Sequence, residues 1–110
     1  MTAVAAVRLL ETCLDRTVVK QVELASGIDE PTMRRVADGA TLQYFPSFPR
    51  PYFRIARERT WVVQGIVGDP LLRVTFSPLA PAGAEGELLD RLVGDRAPSR
   101  AESENASWLP

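Results

Sequence analysis

The sequence predicts a small α+β domain: an N-terminal three-helix layer, a three-stranded antiparallel β-meander, and a short C-terminal helix with a polar tail. Three observations carry this expectation. Val4, Val7, Leu10 and Leu14 recur at helical spacing near the start. Three short runs rich in Val, Ile, Phe and Trp lie between residues 53 and 76, separated by turn-forming residues. Between these regions, Gln43–Tyr52 holds three prolines among four aromatic residues, which marks a change of architecture.

Taken in order, residues 2–15 read as an amphipathic helix, with Thr2 as its cap and Cys13 widening the apolar stripe. Thr17 caps a second helix running to about Ala25, with Val18, Val19 and Val22 facing inward. Gly27 then supplies a turn, as a residue tolerant of positive φ. A third helix follows over residues 30–38, with Asp29 as N-cap, Pro31 in the tolerated first turn and Gly39 as its C-terminal stop. The prolines at 46, 49 and 51 hold residues 43–52 extended. Phe53–Arg57, Trp61–Val67 and Leu71–Phe76 form the meander, with Gly68-Asp69-Pro70 turning the last pair. A three-residue loop there puts Val62, Ile66, Leu72, Val74 and Phe76 on one face, with Trp61, Val63, Val67 and Leu71 on the other. Both faces are then apolar, so the second requires a cover. Residues 84–93 form a short helix. Residues 1–94 thus make one domain and residues 95–110 a flexible tail, rich in polar residues, that ends with Trp108 and Leu109.

Composition narrows the function. The chain has 110 residues, 45% of them hydrophobic and 25% charged, as in ordinary globular domains. No apolar run is long enough to span a bilayer, and no basic segment precedes the apolar N-terminus, which points to the cytoplasm. Cys13 is the single cysteine and there is no histidine, so neither a disulfide nor an ordinary zinc site is expected. No Gly-x-Ser-x-Gly elbow or glycine-rich phosphate loop occurs, and no histidine can serve as a base. No catalytic residue, cofactor or metal is therefore expected, and the protein reads as non-enzymatic. The net charge of −1 is unevenly distributed: residues 31–73 hold seven basic and three acidic residues. Twelve of the thirteen basic residues are arginine, which suits bidentate contacts to phosphate.

Val18-Val19-Lys20-Gln21-Val22 and the stretch from Gly27 to Gly39 resemble the helix-turn-helix of lactose-repressor-type and Cro-type regulators. The likeness covers about 22 residues, with Val22, Ile28, Met33 and Val36 at the spacing of a bihelical core. It implies DNA binding through the helix at 30–38, usually as a dimer, with Thr32, Arg34 and Arg35 at the DNA. Arg54, Arg57 and Arg59 surround the first strand of the meander and read either as a wing against phosphates or as a solvated hairpin edge. A rival expectation is an accessory protein that docks on a larger protein. Its contacts would be Tyr44, Phe45, Phe48 and Tyr52 of the proline segment, Trp61 of the sheet and Trp108 of the tail. The aromatic segment also reads as a connector that seals the core.

Overall fold

The computed structural model describes residues 3–93. Within them the expected three-helix layer is absent: residues Val4–Thr12 (β1) and Val18–Leu24 (β2) form an antiparallel hairpin. Two physical reasons override the helical reading. The first run is apolar almost throughout, so its spacing fits a helix and a strand equally well. In the second, three β-branched valines favour extended backbone. Its alternation places Val22 and Leu24 in the core, and Gln21 and Glu23 outside it. The turn between them rests on short-range bonds. The Cys13 amide donates to the Thr17 carbonyl at 2.8 Å. The Thr17 amide donates to Asp15 Oδ1 at 3.0 Å, and Arg16 takes a positive φ of 71°. No glycine signals this turn in the sequence.

With β2 extended, Gly27 does not join two helices, and the helix-turn-helix expectation is corrected. Its φ is not positive; its requirement is space. A Cβ there would lie 2.2 Å from the Gly68 carbonyl oxygen. The two backbones meet because the Gly68 amide donates to the Ile28 carbonyl at 2.7 Å, and the Ile28 amide to the Asp69 carbonyl at 3.2 Å. The helix that follows, α1 (Glu30–Val36), begins as the sequence predicts. The Asp29 carboxylate accepts the Thr32 amide at 2.8 Å, with Pro31 in the first turn.

Thr41–Phe45 (β3), Tyr52–Arg57 (β4), Trp61–Ile66 (β5) and Leu71–Phe76 (β6) form a continuous meander. It has four strands because the start of the aromatic segment is itself the edge strand β3. The sheet order is β1-β2-β6-β5-β4-β3, with every neighbouring pair antiparallel. The β5–β6 register pairs Trp61 with Phe76 and Val63 with Val74. These side chains therefore share the core face with Leu72, and Val62, Ile66 and Leu71 turn the other way. This reverses the assignment that a three-residue loop implies; the loop has four residues, Val67–Pro70.

Helix α2 (Ala84–Val93) packs beside α1 on that one face. Ala84, Leu88 and Leu92 fall one turn apart and are buried against Val22, Phe53, Ile55, Trp61 and Val74. Lys20 reaches up to Glu85 of α2 at 2.6 Å, and Arg57 to Glu87 at 3.4 Å. The helices also lock each other's ends. Arg35 Nε donates to the Arg91 carbonyl at 2.8 Å. Arg91 Nη1 donates to the carbonyls of Val36, at 3.1 Å, and Asp38. Each arginine thus serves carbonyls that the other helix leaves unbonded. The result is two layers, with neither of the described helices on the opposite face of the sheet.

Candidate nucleic-acid interface

On the face turned away from the helices, each of the six strands carries a long polar residue at one common register position. They are Arg8, Gln21, Gln43, Arg54, Gln64 and Arg73. Such residues point away from the core because strand side chains alternate. The pairing then brings them into one line. Arg8 is opposite Gln21, Gln21 opposite Arg73, Arg73 opposite Gln64, Gln64 opposite Arg54, and Arg54 opposite Gln43. The open face is crossed from edge to edge by a ladder of alternating arginine and glutamine. At about 4.8 Å between strands, it spans roughly 24 Å, with arginines about 10 Å apart.

Arg8, Arg73 and Gln43 are exposed, and Gln21, Gln64 and Arg54 are half-buried. Among the described residues, Arg34, Arg50, Arg57, Arg59 and Arg91 all lie within 4.0 Å of a carboxylate. Arg8, Arg54 and Arg73 do not. The two carboxylates nearest in register are Glu23, opposite Leu71, and Glu11, opposite Val19. Glu11 stands near the β1–β2 turn and Glu23 at the other end of β2, diagonal to Arg8 and Arg73; the β6-β5-β4-β3 part of this face holds no carboxylate. A solvated sheet face ordinarily mixes charges, because opposite charges across strands stabilise and like charges repel. Here glutamines separate the arginines, so the cations avoid repulsion without being neutralised.

The face is dished. A concavity of about 280 Å³ is lined by Leu10, Gln21, Tyr52, Gln64, Ile66 and Arg73. A larger hollow, about 400 Å³, lies between the Pro49–Pro51 segment and the β5–β6 loop. Its one cation, Arg50, is bound to Asp69 at 3.0 Å, so the hollow offers no unneutralised charge to an anion.

The residues expected to bind DNA do not converge. Thr32 is buried and its amide is held by Asp29. Arg34 pairs with Glu30 at 2.9 Å and lies over the Tyr44 ring. Arg35 is bonded to the end of α2. All three belong to the helical layer, and Arg57 faces it too, through Glu87. Arg59 sits in the β4–β5 turn with a positive φ of 59°. Arg54 alone is on the open face. Of the residues expected to dock on a protein, Trp61 is only 1% exposed and serves as the centre of the core. Tyr44 is half-buried against that core. Phe45, Phe48 and Tyr52 cluster at the β3–β4 end, with Phe45 and Phe48 exposed. Trp108 lies outside the described residues.

Sequence reasoning missed Arg8, Gln21, Gln43, Gln64 and Arg73. The signal was present as a long polar residue in every strand, but only the strand order and register align the six. Among the described residues no three His, Cys, Asp or Glu side chains are grouped to hold a metal ion. Cys13 is a poor nucleophile: desolvation and its bond to Glu11 push its thiol above the ordinary value. None of the described helices is long and apolar enough to cross a membrane. Comparison with protein families, with curated proteins and with solved structures finds no match to this chain.

Proposed function

We propose that the protein is a cytoplasmic, non-enzymatic nucleic-acid-binding protein that receives the phosphate backbone on the open face of its sheet. The observation that carries this reading is the row of three arginines without carboxylate partners, Arg8, Arg73 and Arg54. Guanidinium groups suit phosphate oxygens bidentately, and the intervening glutamines can both donate and accept hydrogen bonds. The net charge of −1 does not oppose it. The α2 carboxylates Glu85 and Glu87 lie on the other side of the sheet, paired with Lys20 and Arg57, and do not neutralise the row. The reading replaces α1 as the contact element, since its arginines are engaged within the fold.

The test is a salt titration of binding to a fluorescent oligonucleotide. Three phosphate contacts give a log–log slope of about −2 for a single strand, and each Arg→Ala change in the row removes about 0.7 of it. Arg35→Ala should leave the slope unchanged. Binding that ignores salt, or survives R8A/R54A/R73A, would end this reading.

A second reading, with protein as the partner, is favoured by β1. This nine-residue edge strand exposes Val7, Leu9 and Leu10, and its safeguards against pairing are Arg8, Glu11 and two register shifts, without lysine or proline. A second copy adding a strand there would make a homodimer. Light scattering should then report twice the monomer mass for the wild type and the monomer for Leu9→Lys; a monomeric wild type removes the reading.

A further inference from the structure

Resting on the nucleic-acid reading above, we propose that the ligand is single-stranded, with unpaired bases stacking on an aromatic platform formed by Phe45, Phe48 and Tyr52. Phe45 and Tyr52 are cross-strand partners on the open face, two residues along from the Gln43–Arg54 pair. At about 3.4 Å per residue, they stand roughly 7 Å from the end of the arginine ladder. The Phe45 ring lies nearly parallel to each of the other two. Phe45 and Phe48 are 4.9 Å apart between centroids at 15°, and Phe45 and Tyr52 are 6.1 Å apart at 18°. Phe48 is 49% exposed and Phe45 37%. Adjacent stacked phenylalanines left in water form a contiguous apolar patch, of the kind that marks an interaction surface.

The loop holds this platform ready. Pro46, Pro49 and Pro51 restrict its backbone, and the Phe48 amide donates to the Phe45 carbonyl at 3.3 Å. Both restraints lower the entropy lost when the rings are engaged. Rings on an open sheet beside unneutralised arginines provide the two contacts that a single strand needs, stacking for the bases and cations for the backbone. A duplex can use only the second, because its bases are already paired and stacked. A protein ligand would use the rings without the arginines, whose row lacks the acidic counterparts that mark an internal network.

Fluorescence polarisation decides the matter with an oligothymidylate of about ten residues, within the usual range of site sizes, and a duplex of equal length. The wild type should prefer the single strand by about tenfold or more. Phe45→Ala with Phe48→Ala should abolish that preference and leave duplex binding as it was. R8A/R54A/R73A should weaken both. Thermal melting of each variant checks the fold, and all five side chains lie outside the buried core. Equal affinity for the two probes, or an unchanged preference in the phenylalanine variant, overturns the stacking platform while leaving the arginine ladder standing. Failure of both probes to bind at low salt, or binding by the arginine variant at wild-type strength, overturns the ladder itself.

Discussion

Asp29 and Gly27 stand two positions apart and were legible to different degrees. The role of Asp29 follows from sequence alone, because a capping aspartate before Glu-Pro-Thr needs only local geometry. The side-chain and backbone bonds from Thr32 hold its carboxyl below the usual range. The folded value is depressed, so its contribution is present above the unfolded value and disappears as pH falls through the folded one. Asp29→Ala should therefore cost about 1 kcal/mol at neutral pH, and urea denaturation should show that difference shrinking in acid. A cost equally large in acid would assign the effect to packing instead. Gly27 was legible as a constraint but not in its cause. A turn glycine and a glycine at a close backbone approach look alike until the partner, here Gly68, is known. The carbonyl oxygen that an added Cβ would meet belongs to backbone and cannot move aside as a side chain would. Gly27→Ala should destabilise by about 1–3 kcal/mol, read from the urea midpoint; wild-type stability would mean that these loops do not meet.

At the scale of elements, the sequence places β4, β5, β6, α1 and α2, where short β-branched and aromatic runs, a capping residue or an apolar stripe at helical spacing mark them, but it does not give the faces of β5 and β6. It failed for β1 and β2. A nearly unbroken apolar run has no period to read, and Val-Val at the start of β2 was assigned to a helix against its β-branching. The helical reading of β2 carries the candidate site with it, because Arg34 and Arg35 meet DNA only if α1 is presented by a helix pair. Their partners give them another task. Arg35 and Arg91 each bond carbonyls at the other helix's end, and bonds from charged donors are worth more than neutral ones. With both groups partly in solvent, each Arg→Ala change should cost about 1 kcal/mol. A double-mutant cycle should show coupling between them, because both act on the same α1–α2 contact. Strict additivity would contradict the reciprocal lock. Neither variant should alter oligonucleotide affinity.

For the whole molecule, what matters is an arrangement that no local signal encodes. Six polar residues, one per strand, become a row only when β6 inserts beside β2 and β3 closes the far edge. The net charge averages that row against carboxylates off its register, most of them on other surfaces, which is why a composition near neutrality conceals a local cationic line. Among the described residues two layers leave the row uncovered, and the same architecture brings Phe45, Phe48 and Tyr52 to its end. The most direct test is an NMR titration of the labelled protein with oligothymidylate at low salt, following the side-chain N–H signals of arginine and glutamine together with the backbone amides. The account predicts that Arg54 and Arg73 Nε–H and the side-chain amides of Gln21 and Gln64 shift together, while the amides of Thr32, Arg34 and Arg35 stay in place. Shifts centred on α1, or none anywhere on the open face, would contradict it.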